Sequence, residues 1–154
     1  MKTFVQNNQS TVRINGPAVK TLAAKLADCL VKADPETDWG ELSVVLTDDK
    51  GITQTNREFF GKNRPTDVIS FRYDPVPGEE AAATGDLIVN VDCALREGPA
   101  HDGADAELAL YIAHGFDHLS GAEDDTPAKR AAMRRTEKRW LAALQSETKN
   151  LILD

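Results

Sequence analysis

The chain has 154 residues, of which 41% are hydrophobic and 28% charged, and its formal net charge is −7. This composition is typical of a globular domain with a real core, and no segment approaches the ~20 apolar residues of a membrane-spanning helix. The acidic balance argues against a uniformly basic nucleic-acid-binding protein, but it leaves local basic patches open. Cys29 and Cys93 form no CxxC motif, and the N-terminal residues lack the apolar core of a signal peptide. These features predict a reduced, cytoplasmic chain.

The N-terminal half is predicted to mix strands and helices. Pro17 suits the first position of a helix, and apolar residues at helical spacing continue that helix to about Lys32. A β-branched run bounded by turn residues predicts the strand that follows. The expected strands are residues 3–6, 11–14 and 41–47, and the expected helices are residues 17–32 and 52–60.

The C-terminal half adds strands at 68–73 and 85–91, a short helix at 91–97, and two longer helices beginning near Ala104 and at Pro127. Strands and helices follow no strict βαβ order. The prediction is therefore an α+β fold: a single domain over residues 1–154, with one mixed sheet of about four strands packed with about five helices. The metal site described next would lie at the end of a helix.

Two of the three histidines, His114 and His118, lie four residues apart after a run with helix-like apolar content. On a helix this spacing places both imidazoles on one face, where they can converge on a small cation, with zinc the first candidate. Gly121 would end the helix in the left-handed conformation and let the chain bring Asp124 back as a third ligand. Three protein ligands leave a position for water, as a hydrolytic zinc site requires. Gly115 stands where H-E-x-x-H peptidases have their glutamate base, which disfavours proteolysis.

Three separated segments resemble the YbeY-type endoribonucleases, a family of ribosomal-RNA maturation factors. Residues 56–71 are similar to the family pattern N-x-x-[YF]-R-x-x-D-x-P-T-D-V-L-S-F, and residues 85–89 to its G-D-I-x-I strand. Residues 114–124 are similar to H-G-x-L-H-L-x-G-Y-D-H. The resemblance implies a compact α+β fold and a zinc-dependent, single-strand-specific endoribonuclease. It also implies a role in small-subunit ribosomal-RNA 3′-end maturation and in ribosome quality control.

Two positions depart from the family pattern. Asp124 occupies the place of the third motif histidine; a carboxylate is a legitimate zinc ligand, but its charge weakens the Lewis acidity of the metal. Phe60, just before Gly61, stands where the family usually has an arginine, the residue type that clamps a scissile phosphate. Lys62 and Arg64 on the same loop are the alternative sources of that charge.

Other acidic residues near the histidines leave alternatives open. Glu123 and Asp125 flank Asp124, so a shift of register would recruit either one as the third ligand. Asp117, which precedes His118, would orient a ligand histidine, act as general base, or simply face solvent.

The leading hypothesis is a nuclease that holds one zinc ion per chain through His114, His118 and Asp124. Arg57, Lys62 and Arg64 would attract the RNA backbone. The expected partners are single-stranded ribosomal RNA and the small ribosomal subunit or its proteins, with no membrane. The alternatives are a metal-stabilised ribosome-assembly binding protein with little catalysis and a minimal zinc peptidase.

Overall fold

The computed structural model describes residues 1–153, in which one four-stranded mixed sheet packs with five α-helices and two 3₁₀ turns. This confirms the predicted α+β class; Asp154, the end of the predicted domain range, lies outside the described residues. No helix within residues 1–153 is long and apolar enough to cross a membrane. The elements are β1 (Lys2–Asn7), α1 (Gly16–Ala33), β2 (Trp39–Thr47), α2 (Asp49–Phe60), β3 (Val68–Tyr73), β4 (Ala83–Asn90), α3 (Val91–Glu97), α4 (Ala104–Leu119) and α5 (Pro127–Ala143), with 3₁₀ turns at Gly98–Ala100 and Gln145–Glu147.

The sheet has the strand order β1-β2-β4-β3. β1, β2 and β4 run parallel, and β3 joins the end of the sheet antiparallel to β4. β3 is therefore an edge strand, whose outer side is free to border a cleft. Alternate residues of the central strands face the core and are buried, namely Leu42, Val44 and Leu46 of β2 and Gly85, Leu87 and Val89 of β4.

Helix α4 lies in the middle of the molecule. It packs on the core face of the sheet, where a Cβ added at Gly115 would lie 2.9 Å from both δ carbons of Leu87. The α5 helix covers its other side and contributes Trp140 to the core. Because α4 is enclosed by a sheet and a helix, ten of its sixteen residues are buried. The C-terminal end of α4, which carries His114 and His118, is thus packed on two sides.

Side-chain caps mark helix starts, and the starts predicted at Pro17 and Pro127 are confirmed to within one residue. Asn15 accepts from the backbone N–H of Ala18 at 3.3 Å, and Pro17 follows in the first turn. Asp48 caps α2 and Thr126 caps α5 in the same way. The α2 helix begins three residues earlier than predicted, because the Asp48 cap precedes the apolar pattern.

The predicted strand at residues 11–14 is wrong. Within residues 1–153 this segment makes a single bridge, between Ile14 and Ile152, and no ladder. Its local sequence alternates like a strand, but the neighbouring chain is the short C-terminal segment rather than a strand of the sheet. That segment is docked: Leu151 is fully buried, and its carbonyl accepts from the backbone N–H of Asn15 at 2.9 Å.

Candidate metal centre

The last turn of α4 and the loop after it bring His114, His118 and Asp124 together. The helix ends at Leu119, and Gly121 follows with a φ of 100°, the left-handed conformation that reverses the chain. The loop then returns toward the histidines before Thr126 caps the next helix. One donor atom from each of the three residues lies within 4.8 Å of the others.

The donor distances suit a small tetrahedral cation. His114 Nε2 lies 3.1 Å from His118 Nε2, and an Asp124 carboxylate oxygen lies 3.8 Å and 3.4 Å from these two atoms. Zinc bonds of 2.0–2.2 Å in a tetrahedron put neighbouring ligand atoms about 3.3 Å apart. The three residues therefore fit a zinc-sized ion, with only small side-chain adjustments and one coordination position left over.

The Nδ1 atom of each of these two histidines, which lies away from the other two donor atoms, is within hydrogen-bond distance of an acceptor. His114 Nδ1 lies 3.0 Å from a carboxylate oxygen of Glu137, and His118 Nδ1 lies 3.0 Å from the carbonyl oxygen of Ala122. Both acceptors favour a proton on Nδ1, which leaves Nε2 as the lone-pair donor toward the metal position. Burial tends to lower the pKa of His114, but the hydrogen bond and charge of Glu137 outweigh it and raise that pKa.

Glu137 is the residue that the sequence analysis missed. It lies on α5, 23 positions after His114, and only 3% of it is exposed. The sequence does carry a signal: Glu137 follows Met133 by four positions and precedes Trp140 by three, and both of these are buried. An acidic residue on the apolar face of a helix needs a partner, and His114 is that partner.

Asp117 is buried beside the same glutamate. It is 3% exposed, so the alternative in which it faces solvent is wrong, and one carboxylate oxygen has no hydrogen-bond partner among the described residues. Burial raises the pKa of Asp117, and together with the hydrogen bond and charge of Glu137 it brings that pKa to about 7. A protonated Asp117 can donate to Glu137, which in turn holds His114. Asp117 and Glu137 are thus buried on the protein side of His114, away from solvent.

This arrangement predicts that Asp117→Asn stabilises the metal-free protein at high pH. Because the pKa of Asp117 is raised in the folded state, the folded protein binds more protons, and Asp117 loses its favourable contribution as pH rises through about 7. Asparagine keeps an N–H donor for Glu137 without the charge. The contribution is lost between the unfolded pKa of about 4 and the folded pKa of about 7, so we expect the free energy of unfolding to rise by about 1–3 kcal/mol at pH 8, with little change at pH 4. Urea unfolding in chelator checks this, with the exposed Asp125→Asn as control; an equal gain at both pH values would contradict it.

A cleft of about 540 Å³ opens beside the histidines, along the free edge of β3. His118 and Asp124 form one wall, and the loop after α2 forms the other with Lys62 and Arg64. Phe60 also lines this cleft. It stands where the family pattern of the sequence analysis has an arginine. The two predicted RNA-binding cations of this loop therefore share a cleft with two of the three donor residues.

Arg57, the third predicted RNA-binding residue, lies elsewhere. It lines a neighbouring cavity of about 380 Å³, which shares Pro65 with the cleft. Its guanidinium donates to the side chain of Asn63 at 3.2 Å. Any contact of Arg57 with RNA would thus be made outside the cleft.

A second cavity, of about 250 Å³, borders the donor group on the α5 side and includes His114 and Asp124 in its lining. Arg130, Arg134 and Lys138 also line it. They are spaced by four residues, so they form a row along one face of the helix. Helix α5 carries six basic residues, and from sequence they are indistinguishable from an ordinary solvated helix face. Three of the six line this cavity, so the donor group lies between two basic walls.

The acidic neighbours of Asp124 point away from the histidines. Glu123 and Asp125 each lie within 3.1 Å of the ammonium group of Lys129, in the first turn of α5. Both side chains are 66% exposed. Of the three successive acids, Asp124 is thus the one that the loop directs to the donor group.

Two polar residues of β3 tie this strand to the end of α4. Ser70 donates to the carbonyl of Gly115 at 3.0 Å and so ties β3 to α4. Arg72 donates to the carbonyl of Leu119 at 2.8 Å, pairs with Asp34 at 3.0 Å and lies over the Trp39 ring. These contacts hold the C-terminal end of α4 against the edge strand, and with it the position of His118.

Comparison with known proteins adds relatives that share this fold over most of their length. The family model described as endoribonuclease YbeY matches residues 4–145. An endoribonuclease YbeY of Geobacter metallireducens is 33% identical over 96% of this chain and 98% of its own length, and one from Moorella thermoacetica is 31% identical over 94% and 97%. A solution structure of a Thermotoga maritima protein superposes with a TM-score of 0.58 over 95% of this chain and 93% of its own, at 20% identity, which supports the fold.

Fold, motif order and donor geometry thus define a compact α+β domain with a candidate metal centre at a helix end. The chain belongs to the YbeY endoribonuclease family.

Proposed function

We propose that this protein is a metal-dependent endoribonuclease that cuts single-stranded RNA at the donor group of His114, His118 and Asp124. The observation that carries this proposal is the position of that group, between a cleft with Lys62 and Arg64 and a cavity with a row of α5 cations. A polyanion passing between the two walls would present its phosphates to the donor group. The names of the relatives, each an endoribonuclease, support the same activity.

Zinc is the proposed ion, one per chain, because two neutral imidazoles and a carboxylate form a typical catalytic zinc ligand set. A zinc ion bound there supplies Lewis acidity toward a phosphodiester and a reactive water near neutral pH. The chain's own groups do the rest. Glu137 orients His114, the Ala122 carbonyl orients His118, and Asp117 supports Glu137 from behind. Because Asp117 is buried, we assign it this positioning role rather than that of a general base.

The proposed substrate is ribosomal RNA at the 3′ end of the small-subunit RNA, with the small subunit or its proteins as partners. This assignment rests on the resemblance of the three motifs to ribosomal-RNA maturation factors, and the same resemblance supports a role in ribosome quality control. The proposed cytoplasmic location rests instead on the cysteine usage. The local cations make RNA binding compatible with a net charge of −7, because affinity for a polyanion depends on the charges near the contact.

The zinc content of Asp124→Ala tests the proposal. The wild-type protein, purified without chelator, should carry about one zinc per chain by elemental mass spectrometry. Loss of a direct ligand should weaken zinc binding by at least about 100-fold, since loss of an outer partner already costs 10–100-fold. Cleavage of a labelled single-stranded RNA should fall in parallel.

Glu123→Ala is the matched control, because it removes a neighbouring carboxylate that pairs with Lys129 rather than with the histidines. It should keep both zinc and cleavage. A wild-type protein without bound metal, or an Asp124→Ala variant that cleaves RNA at the wild-type rate, would reject the proposed site.

A binding protein with little catalysis is the second candidate, and Phe60 is the observation that favours it. A phenylalanine in the cleft cannot donate to a phosphate in the way that an arginine does. On this alternative the metal holds the loop around Asp124 in place. Tight RNA binding by zinc-loaded protein, with no cleavage by a nuclease-free preparation, would favour it.

A further inference from the structure

Four aromatic rings form a cluster at the edge of the sheet. Phe59 and Phe60 come from the end of α2, and Phe71 and Tyr73 from β3. The Phe71 ring lies at the centre, with its centroid 5.0 Å from that of Phe59, 6.1 Å from that of Phe60 and 6.5 Å from that of Tyr73. The planes of Phe60 and Tyr73 are within 10° and 23° of the Phe71 plane, so three of the rings are stacked. We call these four residues the aromatic cluster.

Three members of the aromatic cluster are strongly exposed. The exposed fraction is 62% for Phe59, 52% for Phe60 and 50% for Tyr73. A single exposed aromatic residue is ordinary, whereas several in contact mark an interaction surface. Gly61 turns the chain directly after Phe60 with a φ of 67°, so the exposed Lys62 and Arg64 follow beside the rings.

We propose that the aromatic cluster is a stacking platform for unpaired bases of the RNA whose backbone passes through the cleft. The proposal rests on the proposed function and adds how the substrate is held. Phe60 connects the aromatic cluster to the cleft. It is stacked on Phe71, and it also lines the cleft that contains His118 and Asp124. A base on Phe60 would thus leave its phosphates near Lys62 and Arg64.

This combination of rings and cations matches the chemistry of single-stranded nucleic acid. Proteins that bind single strands join a positively charged groove to aromatic side chains on which bases stack, without reading the sequence. Bases in a duplex have no free faces, so such a platform selects unpaired RNA. A surface that bound a protein through the aromatic rings alone would not require cations beside them. In a chain of net charge −7, the placement of Lys62 and Arg64 at this patch favours a polyanion.

Binding of two short, unstructured RNA oligonucleotides tests the platform. They are identical except that one carries abasic sites, and chelator is present so that neither is cut. Wild-type protein should bind the RNA with bases at least about fivefold more tightly, since each stacked base contributes that much or more. Phe60→Ala and Phe59→Ala should reduce this preference toward onefold. Phe60→Leu should do the same, because it keeps an apolar side chain but removes the ring.

Phe4→Ala is the matched control. Phe4 is 46% exposed on β1, at the opposite edge of the sheet, and the strand register places it on the same face as Phe71. It should leave the preference unchanged. Equal binding of both RNAs by the wild type, unchanged preference in Phe60→Ala, or an equal loss in Phe4→Ala would each overturn the platform.

Cleavage assays of the same proteins with zinc separate the two proposals. A wild-type protein that prefers RNA with bases but never cuts it would reject the nuclease function and leave the platform standing. A wild-type protein that cuts RNA but shows no preference for bases would reject the platform and leave the nuclease function standing.

Discussion

His118→Ala is expected to abolish both zinc binding and RNA cleavage. Its Nε2 lies 3.1 Å from that of His114 and 3.4 Å from the Asp124 carboxylate, so it is the donor closest to the other two. Without it, two donors remain and no tetrahedral site can form around three protein ligands. Elemental mass spectrometry and cleavage of a labelled single-stranded RNA, measured on the same preparation, check the result.

The fold should survive this substitution. The His118 side chain is 28% exposed and contributes one hydrogen bond to the loop, through the Ala122 carbonyl. Removing that bond should cost the metal-free protein about 1 kcal/mol in free energy of unfolding. His101→Ala provides the control, since His101 is exposed and pairs with Glu107 instead. If His118→Ala retained zinc, or if His101→Ala lost it, the metal centre would not be at His118.

Most of the fold was predictable because its signals are local. The apolar stripe of α1, the β-branched run of β2 and the caps at Asp48 and Thr126 each depend on residues within one element. The grouping of His114, His118 and Asp124 was also local, since a helical turn and a left-handed glycine determine it. The strand predicted at residues 11–14 failed for the opposite reason, because a ladder needs a partner strand and none of the four described strands lies beside it.

The support of the donor group was not predictable in the same way. Glu137 reaches His114 only because α5 packs against α4, and Asp117 is buried only because α4 lies between that helix and the sheet. The aromatic cluster likewise joins two elements that are separated in sequence by the loop after α2. Local patterns indicate which residues have reactive or apolar side chains. Packing determines which of them meet.

Gly115 links the fold to the choice among hydrolytic mechanisms. In zinc peptidases of the H-E-x-x-H type, the residue after the first histidine is the glutamate base. Here a Cβ at Gly115 would lie 2.9 Å from the δ carbons of Leu87 and 3.2 Å from a methyl carbon of Val68. The position faces the sheet rather than the donor group. A glutamate there would therefore be pressed into apolar side chains and could not act on a bound substrate.

We accordingly expect Gly115→Glu to unfold the protein rather than to create a peptidase. Burying a carboxylate without a partner, in space that is already filled, should cost more than about 4 kcal/mol, a large part of the 5–15 kcal/mol that holds a typical domain together. Gly115→Ala should cost about 1–3 kcal/mol, because only Leu87 and Val68 need to shift. Ala106→Glu, which adds the same carboxylate at a half-buried position of α4, serves as control. Circular dichroism during urea unfolding gives the ranking, and a folded Gly115→Glu variant would show that α4 does not pack on the sheet through this glycine.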